Sequence, residues 1–303
     1  MRFDREIKPG GYVWWYMDAI SDDGTQAMTL IAFIGSVFSP YYAWANRKSP
    51  APAENFCAMN VVLYERRGGY WAMTERARKS LRRSMNVLQI GPSALQWDGS
   101  VLRAEIDERC APVPRRLRGR IALTPGVIHE KIFELDARGR HRWRPIAPRA
   151  RIDVAFDAPG ISWSGNAYWD CNEGDAPLAE DFSEWHWSRG DGRILYDVTC
   201  KDGTTRGLAL RVATDGGLEN FEPPPLCDLP TTFWRVRRRT RADSGRDELV
   251  VKTLEDAPFY ARSLVSTAIA GEAITCVHES LSLTRFSSPV IRALLPFRMP
   301  RFG

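Results

Sequence analysis

The sequence runs to 303 residues with 44% hydrophobic and 26% charged positions, a composition that excludes a disordered or fibrous chain and suits one large or two medium domains. Its formal net charge of +5 is carried by 36 Arg and 6 Lys spread along the chain, too even a distribution to demand nucleic acid, and no such partner is expected. Six Cys without a C-x-x-C pair and four His without H-x-x-x-H or H-E-x-x-H spacing argue for free thiols and against a protein-built metal site, so no metal is expected.

In chain order, Met1 to Asp4 carries no secretory signal, which favours a reducing, cytoplasmic setting. No run reaches the roughly 18 apolar residues of a membrane-spanning helix. Tyr12 to Ile20 reads as an aromatic strand, Ser21-Asp22-Asp23-Gly24 as a turn, and Ala27 to Val37 as the returning apolar strand of a hairpin. Phe38-Ser39-Pro40-Tyr41-Tyr42-Ala43-Trp44 is aromatic and broken by Pro, as befits a loop or short helix at a cavity mouth. Asn60 to Glu65 and Gly69 to Glu75 form a second hairpin around Arg66-Arg67-Gly68, and Glu75 to Arg83 carries a helical pattern. Short strands then recur through Val87 to Ile90, Ala94 to Trp97, Val101 to Asp107, Arg116 to Leu123, Phe133 to Leu135 and Arg151 to Phe156. Strands at this spacing, joined by Gly, Pro and Asp turns, indicate an antiparallel barrel or sandwich.

The densest chemistry lies in Ser162-Trp163-Ser164-Gly165-Asn166-Ala167-Tyr168-Trp169-Asp170-Cys171-Asn172-Glu173-Gly174-Asp175, with His141-Arg142-Trp143 upstream. In an extended segment Tyr168 and Asp170 share a face and Trp169 points the other way; the same period pairs His141 with Trp143. Two neighbouring strands can thus offer a carboxyl, an imidazole, a phenol and an indole to one cavity. An Asp before Asn-Glu-Gly-Asp also serves as a turn former, and Asp18, Glu173 and Asp197 are competing carboxyls.

Beyond it, Glu184 to Ser188, Arg193 to Val198, Asp202-Gly203 and Leu208 to Val212 echo the order of Trp-rich strand, acidic Gly turn and apolar strand seen at Tyr12 to Ile34. The echo predicts two tandem β-domains, 1–175 and 176–303, joined near Gly174 to Glu180. Thr232 to Arg239, Glu248 to Thr253, Phe259 to Ala268 and Glu272 to Leu283 read as longer strands. The basic runs Arg115 to Arg120 and Arg235 to Arg241 suit solvated strand edges or phosphate contacts. Arg285 to Phe302 mixes apolar residues with Arg and no acid, a composition for a lipid interface or for a strand packed on the second domain.

The stretches Gly10 to Ala19, Ala32 to Tyr42, Asn60 to Tyr64 and Gly165 to Asp175 resemble the bacterial carotenoid 1,2-hydratases (hydroxyneurosporene synthases). That resemblance implies an all-β fold of two tandem lipocalin-like antiparallel barrel or sandwich domains with few short helices. It implies addition of water across the terminal C1=C2 double bond of an acyclic carotene, without a cofactor. Asp170 would be the acid, held protonated by burial. Trp143 and Tyr168 would face the carbocation, and His141 would orient Asp170 or accept the proton of the attacking water. Phe38, Tyr41, Tyr42 and Trp44, with Trp169, become candidate substrate contacts. A forty-carbon substrate and no membrane span imply peripheral association with the cytoplasmic face of a photosynthetic membrane. A non-catalytic polyene carrier, a related cyclase or isomerase and, more distantly, a glycosidase are the competing readings.

Overall fold

The computed structural model of the chain describes residues 2–302 except 67, 246 and 247, so the centre of the expected Arg66-Arg67-Gly68 turn lies outside the described residues. Two compact units divide it: unit 1 runs to Pro177 and takes in the segment from Ala293 onward, and unit 2 spans Leu178–Arg292. The expected all-β fold is observed.

Unit 1 opens with β1 (Tyr12–Ser21) and β2 (Ala27–Ile34). Their turn needs Gly24 at φ +68°, where a side chain is strained, and Asp23 Oδ1 ties it by accepting from Ser21 Oγ at 2.6 Å and Thr25 N at 3.0 Å. A short helix α1 (Pro40–Ala45) follows, its Ser39 cap accepting from Tyr42 N at 2.9 Å. Then come β3 (Cys57–Tyr64), β4 (Gly69–Arg76), β5 (Leu81–Arg83), β6 (Val87–Ile90), β7 (Ser93–Trp97), β8 (Leu102–Arg109), β9 (Arg116–Pro125), β10 (Phe133–Glu134), β11 (His141–Ala158) and β12 (Ile161–Gly174). All join one sheet in the order β4-β3-β2-β1-β12-β11-β9-β8-β7-β6-β5, with β10 beside β11. Alternation sends Val13, Trp15 and Met17 of β1, Leu30 and Ile34 of β2, Met59 and Val61 of β3, and Trp169 and Cys171 of β12 into one apolar core.

The helix read over Glu75 to Arg83 is not formed. Glu75 and Arg76 end β4, Arg78–Ser80 make a single 3-10 turn, and β5 follows. Tertiary partners override the local pattern: Arg76 reaches Glu108, 0% exposed at its side chain, at 2.7 Å, and Glu75 pairs with Arg301. Leu81 enters the apolar core.

Unit 2 comprises α2 (Leu178–Asp181), β13 (Phe182–Gly190), β14 (Arg193–Cys200), β15 (Thr205–Val212), β16 (Leu218–Asn220), β17 (Leu226–Leu229), β18 (Arg238–Arg241), β19 (Leu249–Asp256), β20 (Tyr260–Ile269), β21 (Glu272–Ser282) and α3 (Leu283–Phe286). The sheet order is β16-β15-β14-β13-β21-β20-β19, and β17 and β18 form a separate two-stranded ribbon. The strand expected over Thr232 to Arg239 is mostly a loop, because Arg235 takes φ +56° and turns the chain before β18 begins. After α4 (Pro289–Leu294), β22 (Arg301–Phe302) adds in parallel to the edge of β4. There Met299 is buried, Arg298 lies 4.4 Å over the Trp71 ring and Phe297 is exposed.

One face of the unit 2 sheet is unusually polar. His186 lies opposite Ser280 and Ser188 opposite His278; all four are buried, and His186 Nδ1 meets Ser280 Oγ at 2.9 Å. Burial first, and then His186, Arg238 and Arg262 nearby, push the His278 imidazole down to about 3. The unfolded chain therefore binds the His278 proton below its ordinary value of 6.5 while the folded chain refuses it. The stabilisation is present above that value and lost as pH falls toward 3. Unfolding in urea across the acid range should show a stability slope steeper in wild type than in His278→Gln by up to about 1.4 kcal/mol per pH unit; parallel slopes would refute the assignment.

Candidate active site

The three neighbouring strands β1, β12 and β11 lay out the site by register. Tyr16 and Pro145 lie opposite Asp170, Trp14 and Trp143 opposite Asn172, Asp18 opposite Tyr168, and Tyr12 and His141 opposite Gly174. Residues directly opposed across antiparallel strands share a face, and every one of these is buried. Along β12 the same face begins exposed, at Ser162, Ser164 and Asn166, and becomes buried from Tyr168 onward. The register of β11 breaks between Pro145 and Ala150, so His141 and Trp143 join this face while Ile152 and Val154 turn to the apolar core.

Asp170 is 3% exposed. Its Oδ2 accepts from Trp143 Nε1 at 2.8 Å and from Tyr168 Oη at 2.8 Å. Both donors are neutral, so they favour charge on the oxygen they meet without importing a cation. The Tyr16 ring stands edge-on to Tyr168, centroids 6.2 Å apart, and Phe133 backs the Trp143 indole at 5.4 Å.

Further along β12, roughly 13 Å from Asp170 by strand rise, Gly174 leaves a gap that its neighbours fill. Tyr12 Oη and His141 Nδ1 meet across it at 3.0 Å, with ring planes 22° apart. A β-carbon at Gly174 would lie 2.7 Å from Tyr12 Cζ and 2.8 Å from His141 Nδ1. The His141 backbone N–H donates to Asp136 Oδ1 at 2.8 Å. Tyr168, Asp170, Trp143 and His141 thus share one buried face: the first three in direct contact, His141 farther along it with Tyr12.

The competing carboxyls separate. Glu173 is held by Arg5 at 2.9 Å and Arg142 at 3.0 Å. Asp197 is paired with Arg241 within unit 2 at 2.5 Å, and Asp175 with Lys8 and Arg142. Asp18 alone of these shares the Asp170 face, at 0% exposure. Cys171 is adjacent in sequence but faces the apolar core, where burial above all pushes its thiol up to about 12. It stays protonated and is no nucleophile. Among the described residues no three His, Cys, Asp or Glu side chains gather as metal ligands.

The remaining sequence candidates scatter. Phe38 is half-buried and meets Phe33 edge-on at 5.8 Å; Phe33 meets Trp14 at 6.0 Å, and Trp14 stacks on Tyr12 at 5.0 Å. A file of rings therefore leads from Phe38 to His141. Tyr42 instead sits in the apolar core with Oη on the Gly11 carbonyl at 2.7 Å, Tyr41 lies beneath Arg301 at 5.7 Å, and Trp44 is 69% exposed. Trp169 packs on Trp97 at 5.5 Å in the apolar core, on the face opposite Asp170. Sequence reading missed Tyr12, Trp14, Tyr16, Phe33 and Asn172 as site residues. The alternation Tyr12-x-Trp14-x-Tyr16-x-Asp18 was the available signal for the first three.

Residues 30–303 match the family Carotenoid hydratase CrtC. The chain is 53% identical over its whole length to 76% of the acyclic carotenoid 1,2-hydratase of Thiocapsa roseopersicina. It is 50% identical, over 99% of its length and 76% of that protein, to the enzyme of the same name from Rubrivivax gelatinosus. Its fold is similar to that of kievitone hydratase from Nectria haematococca, with a TM-score of 0.59 at 9% identity over 93% of this chain and 92% of that one.

If the Gly174 gap is what lets Tyr12 meet His141, Gly174→Ala should cost about 1–3 kcal/mol in denaturant unfolding through overpacking. Tyr12→Phe, which only deletes a hydroxyl, should cost about 1 kcal/mol. Equal, negligible losses for both would contradict the packing described.

Proposed function

The chain belongs to the Carotenoid hydratase CrtC family, and on that premise we propose that it adds water across the terminal C1=C2 double bond of an acyclic carotene such as neurosporene or lycopene, with Asp170 as the acid. The observation that carries this reading is the convergence of two neutral donors on one oxygen of a buried carboxyl within an aromatic face. With Oδ2 engaged as acceptor, the transferable proton belongs on Oδ1. An alkene is a weak base, and its protonation needs an acid whose conjugate base is stabilised at the moment of transfer. The bonds from Trp143 and Tyr168 strengthen as Oδ2 gains charge, so they act on the transition state more than on the ground state.

The atoms balance without an oxidant. The Asp170 proton forms the new C–H bond at C2, the π pair being consumed, and a tertiary cation remains at C1. Water oxygen supplies the pair for the C–O bond and releases a proton, which the Asp170 carboxylate left by the first step takes back. The acid is restored and the net change is one water added, while His141, held by Tyr12 farther along the face, shapes the polar end of the wall. Hydration is redox-neutral, so no redox cofactor enters the equation. The indole of Trp143 and the phenols of Tyr16 and Tyr168 present π faces to the cation, each contributing about 0.5–2 kcal/mol, the upper value when desolvated. Phe38, Phe33 and Trp14 line the approach for the polyene.

Peripheral association with the cytoplasmic side of a membrane belongs to the same proposal, since the substrate partitions into lipid. Among the described residues no helix is long and apolar enough to cross a bilayer.

Lycopene and neurosporene in detergent should each gain the mass of one water with wild type. In D₂O one non-exchangeable deuterium should appear at C2. Asp170→Asn should lower the rate by at least about 10²-fold while still binding the polyene. Binding without mass gain by either protein would favour a carrier, a product of unchanged mass a cyclase or isomerase, and equal rates for both proteins would move the acid to Asp18.

A further inference from the structure

The β17–β18 ribbon of unit 2 ends in a loop that no part of the proposed reaction uses. Leu229 and Arg238 pair at its base, and the residues between them, 230–237, are pinned. Thr232 N donates to the Val236 carbonyl at 3.3 Å, Val236 N returns a bond to Thr232 Oγ1 at 3.2 Å, and Arg235 N donates to the Thr232 carbonyl at 2.8 Å. Val236 is 0% exposed and Thr232 8% exposed, and Arg238 below them donates to the Pro230 carbonyl at 2.7 Å. Trp234 N donates to Asp256 Oδ2 at 3.3 Å. Arg235 is held at φ +56°, a left-handed conformation that a non-glycine residue adopts only where its surroundings enforce it.

What this pinning achieves is outward display. Phe233 is 89% exposed and Trp234 42% exposed, their rings edge-on at 6.0 Å. Water gains nothing from two large rings at a loop tip, and their exposure costs folding the burial they would otherwise contribute. Next in the chain come Arg235 and Arg237, both exposed, and the half-buried Arg239. Arg237 and Arg239 share one carboxylate, Asp228, at 3.1 and 3.5 Å, while the Arg235 side chain has no ion pair among the described residues. Exposed aromatic rings and guanidinium groups on one short segment suit a bilayer interface: Trp and Phe sit at headgroup depth, and Arg meets phosphate through its planar fork. A second protein is a poorer match, since two rings fall far short of the roughly 800 Å² per partner of a stable protein interface.

We propose that the Phe233–Trp234 tip with Arg235, Arg237 and Arg239 docks the chain on the surface of an anionic lipid bilayer. The proposal rests on the reading above that the substrate is a lipid-dissolved polyene, which gives a bilayer contact its use. It assigns that contact to a built loop of unit 2 and not to the Arg-rich segment from Arg285 to Phe302.

The test is flotation of purified full-length protein with phosphatidylcholine vesicles, with and without phosphatidylglycerol, at low and raised salt, alongside hydration of detergent-dispersed lycopene. Wild type should float with the anionic vesicles, less so at raised salt. Phe233→Ser/Trp234→Ser should lower the apparent partition by about tenfold or more and Arg235→Glu by several-fold, with detergent activity and thermal midpoint unchanged. Flotation of the double variant equal to wild type, no binding of wild type to either vesicle, or binding of wild type to a DNA duplex in preference to vesicles would each overturn the proposal. Loss of detergent activity by wild type would count against the hydratase reading alone, because flotation is read without turnover.

Discussion

A carboxyl buried to 3% exposure must be answered by donors or remain protonated, and the interior of unit 1 is arranged around that demand at Asp170. Tyr168 reaches its Oδ2 from the same strand as Asp170, and Trp143 from the neighbouring one, so the Trp143 bond ties the register of β11 to β12. A one-residue slip of β11 would send Trp143 to the opposite face. The irregularities between Pro145 and Ala150 follow from the same demand, because the chain must present an indole to the carboxyl at one end of β11 and Ile and Val to the apolar core farther on. The Trp143 bond that answers the carboxyl therefore also pins the pairing of the two strands.

For the hydration proposed above, the aromatic wall serves two ends that usually compete. Rings such as Tyr16, Trp14 and Phe33 exclude water, which an acid strong enough for an alkene requires, yet their faces remain favourable ground for a cation. Aliphatic packing would give the first property without the second. The wall is also stiffened by its polar members, since Tyr12 and His141 are joined to each other across Gly174 and the tilt of each ring is set by a bond rather than by packing alone.

Much of this was legible in the residues. Period two in Tyr168-x-Asp170 and His141-x-Trp143 placed four groups on one face before any strand partner was known, and the turn at Gly24 followed from its type. The partner strand was not legible: nothing local says that Tyr12, Trp14 and Tyr16 lie beside Asp170 and Asn172, because register between segments about 150 residues apart is decided by the whole sheet. Two local patterns misled for a related reason. The spacing of charges over Glu75 to Arg83 suits a helix until Arg301 and Glu108, remote in sequence, claim Glu75 and Arg76. The alternation of Arg and Val in 235–239 suits a strand until Thr232 bends the chain back on itself.

The parallel addition of β22 to β4 has a meaning for the order in which this sheet is made. All of unit 2 is translated between the two strands. Until Arg301 and Phe302 have been made, the outer edge of β4 stands open and Glu75, 0% exposed in the finished fold, lacks the guanidinium that answers it. A chain ended short of Arg301 therefore carries an unpaired sheet edge and an uncompensated acid, features that expose it to wrong pairing.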